Sequence, residues 1–175
     1  MKSAASFVFP GKCAAFYTGD QYDVGTSIGY ALRGLTVMMR NEIEARMGRH
    51  GLTAAQWHPL FLLALGKVGT ALELARELGV DAGATTRLVD RLVAKGFVER
   101  SRSDSDRRVV HLQLSEAGRE VADLIPHELA AVQNDFLEGF DTEELEILTR
   151  LVARMLANGE AMRAAHSQAS ESPSS

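Results

Sequence analysis

The sequence predicts a mainly α-helical (α+β) fold carrying one small β-hairpin, and three observations predict it. Apolar residues recur at three- and four-residue steps through most of the 175 residues. Period-two alternation is confined to one short segment, 109–114. Gly79 divides two short helical patterns just upstream of that segment. Helix, tight turn, second helix, then two short strands joined by a polar loop is the order of a winged helix-turn-helix.

Each element has its own warrant. Residues 1–22 mix Phe, Gly, Ser and Pro without a sustained period and read as an irregular arm. From about Asp23 to Arg49 a helix is expected, with Ile28, Leu32, Leu35, Met38, Met39, Ile43 and Met47 at helical steps. Gly48 and Gly51 close it. Thr53 is the expected N-cap of a second, mostly buried helix over 54–66, with a short first turn or a kink at Pro59. A third helix over 70–78 places Leu72, Ala75 and Leu78 on one face, and Gly79 makes the sharp turn. Asp81 caps a fourth helix over 82–95, which Gly96 ends. Strands follow at 97–100 and 109–114, joined by a loop studded with arginine. A long helix is expected from Ser115 to about Gly139, interrupted or bent near Pro126. The last starts near Asp141 with a clean stripe of Leu145, Leu148, Leu151, Val152, Met155 and Leu156. The tail after Ala165 is low in apolar side chains, and residues 161–175 are expected to be mostly disordered.

Composition excludes several classes. A single cysteine, Cys13, rules out an internal disulfide framework and suits a reducing cytoplasm. No run of about 18 apolar residues indicates a membrane span, and Pro10 and Gly11 interrupt the N-terminal apolar stretch, so no signal peptide is expected. His50, His58, His111, His127 and His166 show no metal-ligand spacing, and no metal or other cofactor is expected. There is no glycine-rich phosphate loop, nucleophile motif or paired-carboxylate site, so the chain reads as a non-enzyme.

The net charge of −4 argues against a nucleic-acid partner until its distribution is followed. Residues 116–175 alone carry −8, while 82–108 carry seven Lys/Arg against four Asp/Glu. The basic charge lies on the second helix of the helix-turn-helix and on the loop after it. Thr85, Leu88, Val89 and Leu92 share the face that packs inward, leaving Gly83, Thr86, Arg87, Asp90 and Arg91 outward. Small residues, Thr and Arg at the start of such a helix can approach base edges; Arg bonds guanine bidentately and the Thr methyl touches thymine. The loop region adds Arg100, Arg102, Arg107 and Arg108, suited to phosphates or to the minor groove, and Asp106 can pair with Arg108 to hold its shape. Double-stranded DNA is the partner these residues point to, through Gly83, Thr86, Arg87, Arg91, Arg102, Asp106, Arg107 and Arg108.

The run LARELGVDAGATTRLVDRLVAKGFVER, followed by Asp106-Arg107-Arg108 and then Ser115-x2-Gly118-Arg119, resembles the MarR family of winged-helix regulators across about 24–160. By position, Asp106 and Arg108 match the family's Asp-x-Arg wing pair, with Arg108 as the minor-groove residue, and Thr86, Arg87 and Arg91 match recognition-helix contacts. Thr85 stands where the family usually has Val or Ile, Ser103 where a wing acid is common, and Ser115 where Thr is usual. The resemblance implies a cytoplasmic homodimer whose first and last helices interlock, binding a pseudo-palindromic operator as a repressor. On that basis residues 53–115 form the DNA-binding core of a domain spanning 23–160, and 23–49 and 116–160 dimerise.

Family members respond to small aromatic or phenolic ligands or to oxidants through cysteine. Where cysteine-sensing relatives carry the thiol this chain has Gly29, and Cys13 lies forty residues before Thr53. For a planar carboxylate, Tyr30, Arg33, Trp57 and His58 offer an aromatic wall with cations. Two other readings fit the same residues: a dimeric small-molecule-binding or scaffold protein without specific DNA binding, and a redox sensor acting through Cys13.

Overall fold

The computed structural model describes the backbone of residues 16–102 and 110–171, with side chains for 16–101 and 110–168. Six α-helices and one two-stranded antiparallel sheet occupy them: α1 (Ile28–Arg49), α2 (Ala54–Ala64), α3 (Ala71–Leu78), α4 (Ala82–Ala94), β1 (Val98–Arg102), β2 (Val110–Leu114), α5 (Glu116–Phe136) and α6 (Thr142–Glu171). The mainly α fold with a β-hairpin is therefore as the sequence predicts. The chain divides into two compact units, one ending at Gln133 and the other beginning at Asn134.

The first unit closes around one core. Met47, Leu52, Leu60, Leu62, Leu74, Leu88, Val89, Leu92, Val98, Leu112, Ala122 and Ile125 are buried together, drawn from α1 through α5 and both strands. Burying such side chains is the main favourable term of folding. Only the end of α1 takes part, through Met47 and Ile43; Ile28, Tyr30, Leu35, Val37 and Met38 are exposed.

α1 starts at Ile28 rather than near Asp23, after two 3-10 turns at Gly19–Gln21 and Val24–Thr26. Ser27 is its N-cap residue, but the Ser27 hydroxyl is engaged with that of Tyr22 at 2.9 Å and caps nothing. The Tyr17 hydroxyl accepts the Ile28 N–H instead, at 3.0 Å. α2 ends at Ala64 because the chain folds back at Gly66 (φ 65), where the Lys67 N–H reaches the Leu62 carbonyl at 3.1 Å. The helix runs unbroken through buried Pro59, so no break marks the proline; the Ala55 carbonyl simply lacks its usual partner four residues on.

On α3 the inward residues are Ala71, Leu74, Ala75 and Leu78, and Leu72 faces solvent at 61% exposure. Ala75 and Leu78 face inward as expected, but Leu72 does not: Leu74, about 160° around the helix from Leu72, takes the buried position one turn before Leu78. Thr70 and Glu73 make a reciprocal cap, Thr70 Oγ1 accepting from Glu73 N at 3.2 Å and Glu73 Oε2 from Thr70 N at 3.0 Å. The Glu73 carboxyl lies below its usual range because the Gly69 N–H and the Thr70 groups favour its charged form.

The hairpin pairs Val98 with Leu114, Arg100 with Leu112 and Arg102 with Val110. On β2, Leu112 is buried while His111 and Gln113 are exposed, the alternation the sequence shows. Residues 69–70 lie along it, with the Leu112 N–H donating to the Gly69 carbonyl at 2.9 Å. α5 is continuous through Pro126 and presents Gly118, Ala122, Ile125 and Val132 inward. At its C-terminal end the chain turns at Gly139 (φ 86). Asp141 and Glu144 then cap α6 reciprocally, at 2.8 and 3.0 Å. That helix reaches Glu171, whereas the sequence places the end of order near 160; Ala161, Met162, Ala164 and Ala165 are good helix formers. No helix among the described residues is long and apolar enough to cross a membrane.

Candidate nucleic-acid interface

Gly79 adopts φ 64, ψ 30 and lets the chain leave α3 sharply, with the Val80 N–H returning to the Ala75 carbonyl at 3.1 Å. Two residues later Asp81 caps α4, Oδ1 accepting the Ala84 N–H at 2.8 Å. That bond holds the Asp81 carboxyl below its usual range, with Arg87 adding a smaller attraction. Thr85, Leu88, Val89 and Leu92 are all buried, which fixes the rotation of α4 and turns Gly83, Thr86, Arg87, Asp90 and Arg91 to solvent.

The outward residues are arranged in detail. A Cβ at Gly83 would lie 3.1 Å from Asp81 Oδ1 and 3.5 Å from Arg87 Nη1, so glycine lets the cap and the guanidinium share this corner. The Thr86 hydroxyl donates to the Ala82 carbonyl at 2.8 Å, leaving its methyl as the group able to meet a thymine. Arg91 Nε donates to the Arg87 carbonyl at 3.2 Å, which steers its terminal nitrogens along the helix surface. Asp90 binds Arg100 of β1, Nη2 to Oδ1, joining helix to hairpin. Arg102 pairs through its backbone with Val110; its side chain, together with Asp106, Arg107, Arg108 and Cys13, lies outside the described residues.

The hairpin is anchored on its other side at the start of α5. The Ser115 hydroxyl donates to the Gly96 carbonyl at 2.5 Å and accepts the Gly118 N–H at 3.0 Å, while Ser115 N donates to the Phe97 carbonyl at 3.0 Å. Lys95 closes the end of α4 onto the α1–α2 turn, through the Gly51 carbonyl and Gln56 Oε1.

The four residues expected to hold a ligand are not gathered into one site. Trp57 is half-buried against the core with the His58 ring 5.2 Å away, whereas Tyr30 and Arg33 are exposed on α1. A cleft of about 320 Å³ does exist beside His58, lined by Ala54, Ala55, Pro59, Leu78, Val80, Ala84, Leu88 and Arg91. Its walls are apolar, its two polar side chains are His58 from α2 and Arg91 from α4, and Arg91 belongs to both cleft and DNA-facing surface. Sequence periodicity could not assemble this site, because it joins the start of α2 to the turn after α3. No cluster of three or more His, Cys, Asp or Glu suited to a metal is present among the described residues.

A winged helix of this form has relatives. The MarR family model matches residues 52–110. The multiple antibiotic resistance protein MarR of Escherichia coli K12 is 33% identical over 107 residues, covering 60% of this chain and 74% of that protein. The chain belongs to the MarR family. It is a DNA-binding transcription regulator and not an enzyme. Among solved structures, a mutant of Escherichia coli MarR complexed with operator DNA matches at 26% identity and a TM-score of 0.64. That match covers 74% of this chain and 93% of the other. The YusO protein of Bacillus subtilis matches at 25% identity and a TM-score of 0.63, covering 81% and 99%.

Proposed function

We propose that this MarR-family regulator is a homodimeric repressor that binds a pseudo-palindromic operator and leaves it when a small aromatic or phenolic acid binds. The observation that carries the reading is the double use of Arg91. It stands on the outward face of α4 with Arg87, and it also lines the cleft that His58 enters from α2. A planar acid lying on Pro59, Val80 and Leu88, with its carboxylate between His58 and Arg91, would draw Arg91 off DNA. The Ala55 carbonyl, lacking a helical partner because of Pro59, is an acceptor for a phenolic hydroxyl. His58 thus belongs with the ligand, Trp57 reports on it only through the His58 ring 5.2 Å away, and Tyr30 and Arg33 would enter only through a second copy.

Gly83, Thr86, Arg87 and Arg91 are proposed to meet bases and phosphates in the major groove, with Arg102, Asp106, Arg107 and Arg108 beside it. The exposed apolar residues of α1 and of α6, including Leu145, Leu148, Leu151 and Met155, support pairing with a second copy. Each half-site would then be read by one protomer in the cytoplasm, where the DNA is.

The test uses a duplex that the protein itself selects from a random pool. Arg108→Ala is expected to weaken binding by about tenfold or more, and affinity should fall steeply with salt. Salicylate should quench the fluorescence of Trp57, the chain's one tryptophan, and release the duplex. Unchanged affinity in Arg108→Ala refutes the wing assignment, and a flat salt response refutes DNA reading by this surface.

A further inference from the structure

We propose that Asp90 and Arg100 act as a positioning strut: the pair sets the spacing between α4 and the hairpin, and so the sequence specificity of DNA binding, without either residue touching DNA. The inference rests on the operator-reading function proposed above and on the α4–β1 geometry.

Arg100 lies on the same side of β1 as Val98, which is 2% exposed, and its cross-strand neighbour Leu112 is 3% exposed. Strand alternation therefore brings the Arg100 stem out on the core side of the hairpin, toward α4. Its guanidinium meets Asp90 there in a charge-assisted bond. Only Ser101 and Arg102 follow before β1 ends. Among the described hydrogen bonds and ion pairs, this contact is the link between α4 and β1 nearest the loop.

The charge pattern supports the same role. Asp90 stands among Arg87 and Arg91 on the outward face of α4, where a bare carboxylate would oppose phosphates. Arg100 covers that charge, and Asp90 in turn holds Arg100 away from the groove. A guanidinium engaged this way leaves Arg87 and Arg91 as the cations that α4 offers to DNA. What the pair contributes is geometry: with it in place, the hairpin and the recognition helix address adjacent grooves at one fixed separation.

Asp90→Ala, Asp90→Asn, Arg100→Ala and the exchange Asp90→Arg/Arg100→Asp are titrated against a duplex selected by the wild type and a scrambled duplex of equal length, over a series of salt concentrations. Each single variant is expected to lower the ratio of selected to scrambled affinity by about fivefold, as an exposed ion pair allows. Asp90→Ala combined with Arg100→Ala should do no further harm, and the exchange should recover part of the ratio. The salt slope of Arg100→Ala should equal that of the wild type.

A slope smaller by about 0.9 shows that Arg100 contacts a phosphate and overturns the strut. Asp90→Ala binding both duplexes more tightly by the same factor also overturns it, since Asp90 then acts only as a repelling charge. Asp90→Asn keeps the side-chain volume and guards against loss of fold; an unchanged ratio in that variant refutes the proposal. A wild type that does not distinguish the two duplexes refutes operator reading itself.

Discussion

Gly118→Ala tests the joint that ties the hairpin to α5. A Cβ on Gly118 would lie 1.9 Å from the Phe97 carbonyl oxygen and 2.8 Å from its carbon, both backbone atoms that no rotamer change can move. Restoring ordinary contact requires the start of α5 and the strand entrance to separate by about 1.5 Å. Two hydrogen bonds cross that gap, from Ser115 N to the Phe97 carbonyl and from Ser115 Oγ to the Gly96 carbonyl. Each is worth about 1 kcal/mol. Overpacking adds about 1–3 kcal/mol, and alanine's better helix propensity returns about 1 kcal/mol. The net loss is about 3 kcal/mol, which lowers the melting temperature by roughly 6–12 °C for a chain of this size. A thermal melt at fixed protein concentration reads it, with Gly48→Ala as control: that position lies in α1 with nothing within 4 Å of an added Cβ. The control should gain up to about 1 kcal/mol. A Gly118→Ala protein as stable as the wild type refutes the close approach and with it the anchoring of the hairpin.

Two further outcomes are expected. Gly79→Ala places a Cβ at φ 64, which costs about 1–2 kcal/mol by urea titration; Gly79→Asn should cost less, and equal stability of all three proteins refutes the turn. Glu128 is held below the ordinary carboxylate range by the bond from His50 Nε2 at 2.7 Å, with Arg46 and Arg49 adding smaller attraction. A depressed carboxyl stabilises the fold above its unfolded pKa of about 4.3 and loses that stabilisation as pH falls through its lower folded value. Glu128→Gln should therefore flatten the acid limb of the stability curve below that pH, and an unchanged limb shows that the α1–α5 link carries none of it.

Most of the framework is legible because local chemistry decides it. Gly79, Asp81 and Gly96 each have one structural use, and the buried set Thr85, Leu88, Val89 and Leu92 follows from helical period alone. The errors come where tertiary contact overrides the local signal. Leu72 and Leu74 are equally apolar, and only the core decides that Leu74 goes in. The start of α1 is displaced because a tyrosine eleven residues away supplies the cap. The cleft beside His58 was not legible, since its lining residues come from three helices and a turn and share no period. The Asp90–Arg100 pair spans ten residues across two element types, which no spacing rule connects.

A chain with net charge −4 binds DNA here by segregating charge rather than accumulating it. Among the described residues, Asp90 covers Arg100, and just before the segment Asp81 caps α4 with Arg87 beside it. On α4 these carboxylates therefore help to orient the cations beside them. Weak local charge has a consequence for assembly. A single copy with Arg87 and Arg91 on its helix gains little from counterion release, so the pairing of two copies proposed above is what would make binding tight. Under the proposed mechanism a ligand that withdraws Arg91 in each copy removes a large share of a small set of contacts, which is why one small acid per protomer can empty the operator.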